Sequence, residues 1–123
     1  MQLTLRNARL VDASGESHGD LVLSGETLVD NTSGAGGQEL DLEGALVTPG
    51  FVDVHTHGGG GYNLHTTNPD EIREYARWAP SSGTTGFLVG VVGVPDGIPE
   101  AQLRAATEVV QTPGPGAEPL GIH

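Results

Sequence analysis

The hydrophobic pattern changes character once along the chain, at Thr48-Pro49-Gly50, and that change constrains the fold more than any other feature. Before it, short β-type runs alternate with turn residues: Leu3-Thr4-Leu5, Arg9-Leu10-Val11, Asp20-Leu21-Val22-Leu23, Leu28-Val29 and Leu40-Asp41-Leu42. Ser24-Gly25-Glu26 has the composition of a hairpin turn, and Ser33-Gly34-Ala35-Gly36-Gly37 that of a flexible loop. Residues 1–48 are therefore expected to form a small antiparallel β unit. Asp12, Glu16 and Asp30 have no basic neighbours in sequence and are expected on a solvated surface.

Beyond Gly50 the order becomes strand, helix, strand, helix, strand. Phe51 to His55 is a short apolar run, followed by four glycines at 58–61. Asn68-Pro69-Asp70-Glu71 then starts a helix, with Asn68 as N-cap, Pro69 in the first turn and Glu71 three residues after the cap. Ile72, Tyr75, Ala76 and Ala79 share one face of it, and Pro80 ends it. Gly83-Thr84-Thr85 leads into a buried-type strand running to Val92. Residues 99–110 read as a second helix with Leu103, Ala106 and Val110 aligned, and 119–123 as a third strand. A βαβαβ order favours parallel strands with helical crossovers. An eight-stranded barrel takes roughly 200 residues or more, and only 73 residues run from Phe51 to His123. Three strands of such a barrel would be present, leaving apolar faces and a strand edge without partners.

Composition removes several classes of chemistry. The chain of 123 residues carries five arginines, no lysine and sixteen acidic residues, a net charge of −11. Nucleic acid and anionic membrane surfaces are poor partners for it, because phosphate neutralisation needs clustered cations. Schiff-base and lysine-base mechanisms are excluded for this chain, and the absence of cysteine excludes thiolate nucleophiles, thiolate metal sites and disulfides. The longest apolar run, residues 87–94, falls well short of the ~18 residues of a membrane span. The first residues have no signal-peptide pattern, and a soluble cytoplasmic protein is expected. Aromatic residues make up only 4% against 20 glycines and 8 prolines, so few large side chains anchor the interior, which is expected to be poorly filled.

The residues with chemistry gather in Asp53-Val54-His55-Thr56-His57. Strand side chains alternate, so Phe51, Asp53, His55 and His57 share one face and Val52, Val54 and Thr56 the other. Two imidazoles two residues apart at a strand end can converge on one metal ion, and Asp53 on the same face could orient a liganding ring. Two ordinary strand histidines would give the same spacing. A catalytic zinc also needs about three protein ligands, and two histidines suit zinc, iron and other first-row metals alike. Other candidates are Gly59 and Gly60, whose backbone N–H groups could approach a phosphate or simply form a turn. His65, in the following loop, could touch substrate or be solvated. His123 sits beside the site on the third strand. Trp78 reads as a packing residue and His18 as a surface one.

Residues 46–57, Leu-Val-Thr-Pro-Gly-Phe-Val-Asp-Val-His-Thr-His, resemble the first-strand signature of the amidohydrolase superfamily. Together with the glycine run, Ser82-Gly83-Thr84-Thr85-Gly86-Phe87-Leu88 and Pro119-Leu120-Gly121-Ile122-His123, they resemble the N-acetylglucosamine-6-phosphate deacetylase family within it. The resemblance covers essentially the whole chain but only the first third or so of such an enzyme. It implies an α/β architecture in which residues 1–48 form half of a small β-sandwich. Residues 49–123 would then supply the first three strands and two helices of an incomplete (β/α)8 TIM barrel.

The resemblance further implies that His55 and His57 are metal ligands and that His123 matches a non-ligand position beside the site; Asp53, Gly59, Gly60 and His65 stand as candidates near the metal or the substrate pocket. A divalent metal, zinc first, would polarise the acetyl carbonyl of N-acetylglucosamine 6-phosphate and lower the pKa of bound water. Acetate and glucosamine 6-phosphate would be the products. In the family the third strand continues into a liganding glutamate, two later histidines complete the site, and a later aspartate is the general base and acid. None of these four lies within the 123 residues, so no catalytic acid or base is assigned and the chain alone is expected to be inactive. Where family members often have Leu-Pro-Thr in the second strand this chain has Leu88-Val89-Gly90, a departure at the pocket wall. The alternatives are another amidohydrolase, dihydroorotase-like or hydantoinase-like, and a non-enzymatic assembly module. An unclosed sheet is expected to form a homo-oligomer or to associate through its open edge.

Overall fold

The computed structural model describes residues 2–30 and 37–123, so the loop expected at 33–37 lies outside the described residues except for Gly37. The chain divides into two units, residues 1–49 and 50–123.

In the first unit, β1 (Gln2–Asp12) is one eleven-residue strand where the sequence suggests two separate runs. The runs join through Asn7, whose φ of 55° sits at an irregularity in the pairing with β2 (Gly15–Ser24), between Leu5 and Ala8. Asparagine tolerates this left-handed conformation better than most residues, and here its partners hold it. Its N–H donates to Asp20 Oδ1 at 3.0 Å and its side-chain amide to both carboxylate oxygens of Asp41 at 2.9 Å. The turn expected at Ser24-Gly25-Glu26 leads into β3 (Thr27–Val29), antiparallel to β2.

The expected all-antiparallel unit is corrected by β4 (Gln38–Asp41) and β5 (Leu46–Val47), which both run parallel to β1 and make the sheet mixed, in the order β3-β2-β1-β4. Turn composition reveals hairpins, whereas parallel pairing joins segments distant in sequence and leaves no local mark. Glu16 also has a basic partner after all. The β1–β2 hairpin brings it 3.7 Å from Arg9 Nε.

The second unit begins with β6 (Phe51–Thr56), followed by the small hairpin of β7 (Gly58–Gly59) and β8 (Tyr62–Asn63). Helix α1 (Pro69–Trp78), strand β9 (Thr84–Val89), helix α2 (Glu100–Gln111) and strand β10 (Glu118–Ile122) complete it. The three long strands are parallel in the order β10-β9-β6, so β9 is central and the helices are the crossovers expected.

Asn68 caps α1, its side-chain oxygen accepting the Asp70 N–H at 3.1 Å. Glu71 does not reach back to close the box. It accepts the Asn63 N–H at 3.0 Å, while the Asn68 N–H donates to Thr66 Oγ1 at 3.1 Å. Beyond Trp78 the chain tightens into a 3₁₀ turn, Ala79–Ser82, and leaves it at Gly83. Strand β9 stops at Val89, three residues before the expected Val92. The next amides leave the ladder: Val91 N–H donates to the His123 carbonyl at 2.9 Å and Val92 N–H to His65 Nδ1 at 3.1 Å.

The core of this unit packs Phe87 and Val89 of β9 against Ile72, Tyr75 and Ala76 of α1 and Ala105, Ala106 and Val109 of α2, with Leu64, Ala79 and Ala117 closing it. The buried face of α2 is rotated by about one residue from the expected one. Ala105 and Val109 are buried, whereas Leu103 and Val110 are half-buried. Alanines let the helix backbone approach the sheet closely, so the larger residues fall to the flanks. Both outer strands expose apolar side chains: Val52 and Val54 of β6 are 56% and 60% exposed, and Leu120 of β10 is 49% exposed. Among the described residues no helix is long and apolar enough to cross a membrane.

Candidate metal centre

The site is built at the carboxyl end of the parallel sheet, where β6 and β10 flank β9. His55 is the penultimate residue of β6 and His57 the first residue beyond it. Both are exposed, and Thr56 between them is buried on the opposite side. The rings of His55 and His57 meet edge-on with centroids 5.2 Å apart and an interplanar angle of 85°. His123 follows β10, its N–H donating to the Val89 carbonyl at 3.0 Å, and its ring comes within 4.7 Å of His55. His55 and His123, from the strands on opposite flanks of β9, thus meet at its carboxyl end. Gly90 gives the His57 ring room. A Cβ there would lie 3.0 Å from His57 Nδ1 and in hard contact with the Thr56 carbonyl. The departure from Leu-Pro-Thr therefore falls where a side chain would crowd the His57 ring.

The donor chemistry fits a metal in part. Two imidazoles on one tetrahedral ion, each bound at roughly 2.0–2.1 Å, place their centroids about 5 Å apart, close to the spacing of His55 and His57. Among the described residues no three His, Cys, Asp or Glu side chains form a group that could hold an ion on their own. An ion at this position would need donors beyond these two histidines.

Asp53 is half-buried, and its Oδ1 accepts the backbone N–H of His55 at 3.1 Å. It fixes the strand at His55 through the main chain. Residues 58–61, expected as a turn, form an ordered hairpin closed by Leu64 N–H donating to the His57 carbonyl at 3.0 Å. His65 sits next to that closure. Its Nδ1 accepts the Val92 N–H, so a neutral ring carries its proton on Nε2 and presents that atom as a donor. His18 is exposed on β2, in the other unit.

Several contributors carry little sequence signal. The Thr56 hydroxyl accepts the Gly58 N–H at 3.2 Å and lies 3.4 Å from the Tyr75 phenol, which ties α1 to the segment between the two histidines. Its position between them is the one available hint. Trp78 of α1 packs against Gly59 and Gly60, a contact that no local pattern reveals. Electrostatically the site is without an unpaired arginine among the described residues. Arg73 pairs with Asp70 and Glu108, Arg77 with Glu74, and Arg104 with Glu100, while Arg6 and Arg9 pair with carboxylates of the β unit. Glu71, which anchors Asn63, is held below the ordinary carboxylate value by its hydrogen bonds with Thr66 and then with the Asn63 N–H.

Comparison with known proteins adds the wider context. A family profile described as "Amidohydrolase family" matches residues 38–108. N-acetylgalactosamine-6-phosphate deacetylase from Escherichia coli O157:H7 is 32% identical over 69% of this chain and 22% of its own length. Human N-acetylglucosamine-6-phosphate deacetylase is 29% identical over 97% of this chain and 30% of its own length. The crystal structure of N-acetyl-D-glucosamine-6-phosphate deacetylase from Mycobacterium smegmatis superposes with a TM-score of 0.60 at 25% identity, covering 90% of this chain and 31% of that one. Relatives with other activities match as well. Adenine deaminase from Clostridium acetobutylicum is 33% identical over 71% of this chain and 14% of its own length. A dihydroorotase from Listeria monocytogenes is 40% identical over 43% of this chain and 13% of its own. The chain thus spans under a third of the length of each of these relatives.

Proposed function

Because the chain belongs to the amidohydrolase family, we propose that it carries the first metal-binding segment of a deacetylase that hydrolyses N-acetylglucosamine 6-phosphate to glucosamine 6-phosphate and acetate. The observation that carries this reading is the extent of the likeness. The human deacetylase aligns in sequence with 97% of the chain, against 71% for the adenine deaminase and 43% for the dihydroorotase.

In this reading His55 and His57 hold a divalent ion, with zinc as the metal proposed. Bound there, such an ion supplies Lewis-acid polarisation of an amide carbonyl and activation of water. The chain's own groups do the rest of its share. Asp53 fixes the strand at His55 and the Leu64 N–H fixes the His57 carbonyl, so the backbone that carries the two rings is held at both residues. His65 holds a proton on Nε2 and can donate it in a hydrogen bond to a substrate oxygen. No arginine among the described residues is unpaired, and the backbone of the glycine hairpin is the contact proposed for the phosphate. The epimeric N-acetylgalactosamine 6-phosphate is a second candidate substrate, favoured by the 32% identity to the Escherichia coli relative.

The test is an assay of the protein at the full length its gene encodes, supplied with zinc, on both amino-sugar phosphates, with adenine and dihydroorotate alongside. Acetate release that disappears in His57→Asn is the expected result. Turnover of adenine or dihydroorotate in place of the amino sugars assigns a different amidohydrolase activity, and hydrolysis of none of the four leaves the assembly-module reading in its stead.

A further inference from the structure

We propose that Trp78 is a positioning residue for the metal centre, holding the Gly58–Asn63 hairpin, and through it His57, against helix α1. The inference rests on the reading of His55 and His57 as metal ligands. Its basis is a contact that leaves no space for a side chain. A Cβ at Gly59 would lie 2.8 Å from Trp78 Cζ3 and 3.0 Å from Cη2. At Gly60 it would lie 2.6 Å from Nε1 and nearer still to Cδ2 and Cε2. Gly59 therefore meets the outer edge of the six-membered ring, and Gly60 meets the ring fusion and the pyrrole nitrogen. The hairpin backbone spans the indole, and Gly60, with φ of 61°, needs glycine for its conformation as well as for its contact.

Helix α1 grips the histidine segment at two points one turn apart. Trp78 holds the hairpin, and Tyr75 meets the Thr56 hydroxyl, which in turn accepts the Gly58 N–H. The two aromatic rings are tilted by 43° with centroids 5.8 Å apart, and Tyr75 packs edge-on against Phe87 at 4.9 Å. The hairpin is thus fixed to the buried core on one side, while its first residue follows His57 directly and its closing bond is made by the His57 carbonyl. Loosening the indole contact frees the segment that carries one imidazole and leaves His55, inside β6, in place.

Trp78 is the one tryptophan among these 123 residues, and the share of emission that disappears in Trp78→Phe reports on this contact. The experiment uses the protein expressed from its own gene and titrates it with zinc, following tryptophan fluorescence and, independently, equilibrium dialysis with metal analysis. The expected result is a change in emission whose midpoint matches the dialysis curve. In Trp78→Leu, zinc affinity should fall by about 10-fold or more, as for other groups that orient a ligand, and Trp78→Phe should recover most of the loss. Gly60→Ala, which crowds the indole from the hairpin side and strains the turn at φ 61°, should weaken zinc similarly; the share due to the indole contact is what Trp78→Leu relieves, so the double variant should be no weaker than Gly60→Ala alone. Circular dichroism checks that each variant is folded, and Gly60→Ala decides the matter if Trp78→Leu is not. Zinc binding of unchanged strength in Gly60→Ala and Trp78→Leu overturns the positioning role and leaves the metal reading standing. Zinc binding that is absent from the unaltered protein, or that survives His55→Asn combined with His57→Asn, overturns the metal reading and this inference with it.

Discussion

The two units hold themselves together by different means. Among the described residues of the β unit only Ala8 and Val22 are buried apolar side chains, while Leu28, Leu40 and Leu46 are 61%, 53% and 52% exposed. Its order comes from the strand ladder and from polar staples at the bulge. Asn7 joins Asp20 and Asp41, and Arg6 bridges Asp20 at 3.5 Å and Glu39 at 3.0 Å. The α/β unit has a contiguous core around Phe87, and some of its polar contacts hold the loops that carry the histidines while others pair charges on the helices. A unit secured by packing can present a site at its rim with ångström-level placement, because the supporting side chains have no alternative positions. One secured by exposed polar contacts is correspondingly open to solvent conditions.

That contrast can be broken most directly by truncating a core residue in each unit. Phe87→Ala should cost about 3–5 kcal/mol in the α/β unit, read as lost hydrogen-exchange protection along β9. Val22→Ala should cost the β unit roughly half as much, two methyl groups at about 0.8 kcal/mol each plus a small cavity term. Equal losses would mean that the two units are packed alike. A smaller effect is expected from Asn68→Ala, which removes the α1 cap for about 1 kcal/mol, visible as faster exchange in the first turn of that helix alone.

The smallest effects come with acid, and they fall more heavily on the β unit. Asp41 is held below its ordinary value of 3.8 by the Asn7 side chain and then by the Glu43 N–H, and Asp12 by the Ser14 hydroxyl and N–H. A depressed carboxylate contributes its stability above its ordinary value and loses it as pH falls through the lowered one. The Ser14 and Glu43 amide shifts should therefore titrate below pH 3.8. In the α/β unit Glu71 follows the same sign below 4.5, and its loss should show at Thr66 and at the Asn63 amide. Titration of these amides at or above the ordinary values would contradict the hydrogen-bond assignments.

What could be seen in the sequence follows the same division between local and distant causes. The Asn68 cap, the turn at Gly25 and the strand-helix order of the second unit are written in residues a few positions apart, and the structure has them all. The parallel pairing of β4 and β5 with β1 and the continuity of β1 through Asn7 depend on contacts between residues some thirty or more apart, such as Asn7 with Asp41. The buried face of α2 shifted because alanine carries little weight in a hydrophobic pattern yet permits the closest approach to a sheet. At the site, the His-x-His spacing marks the pair on sight. The meeting of His123 with His55, the Val92 bond to His65 and the indole against the glycines arise only when three strands and α1 are assembled.

The central claim is that His55 and His57 ligate a metal. X-ray absorption at the zinc edge of the zinc-loaded protein addresses it most directly. The account predicts imidazole nitrogen scattering at about 2.0–2.1 Å that loses two nitrogen neighbours when His55→Asn and His57→Asn are combined. A metal environment unchanged by those two substitutions would contradict it.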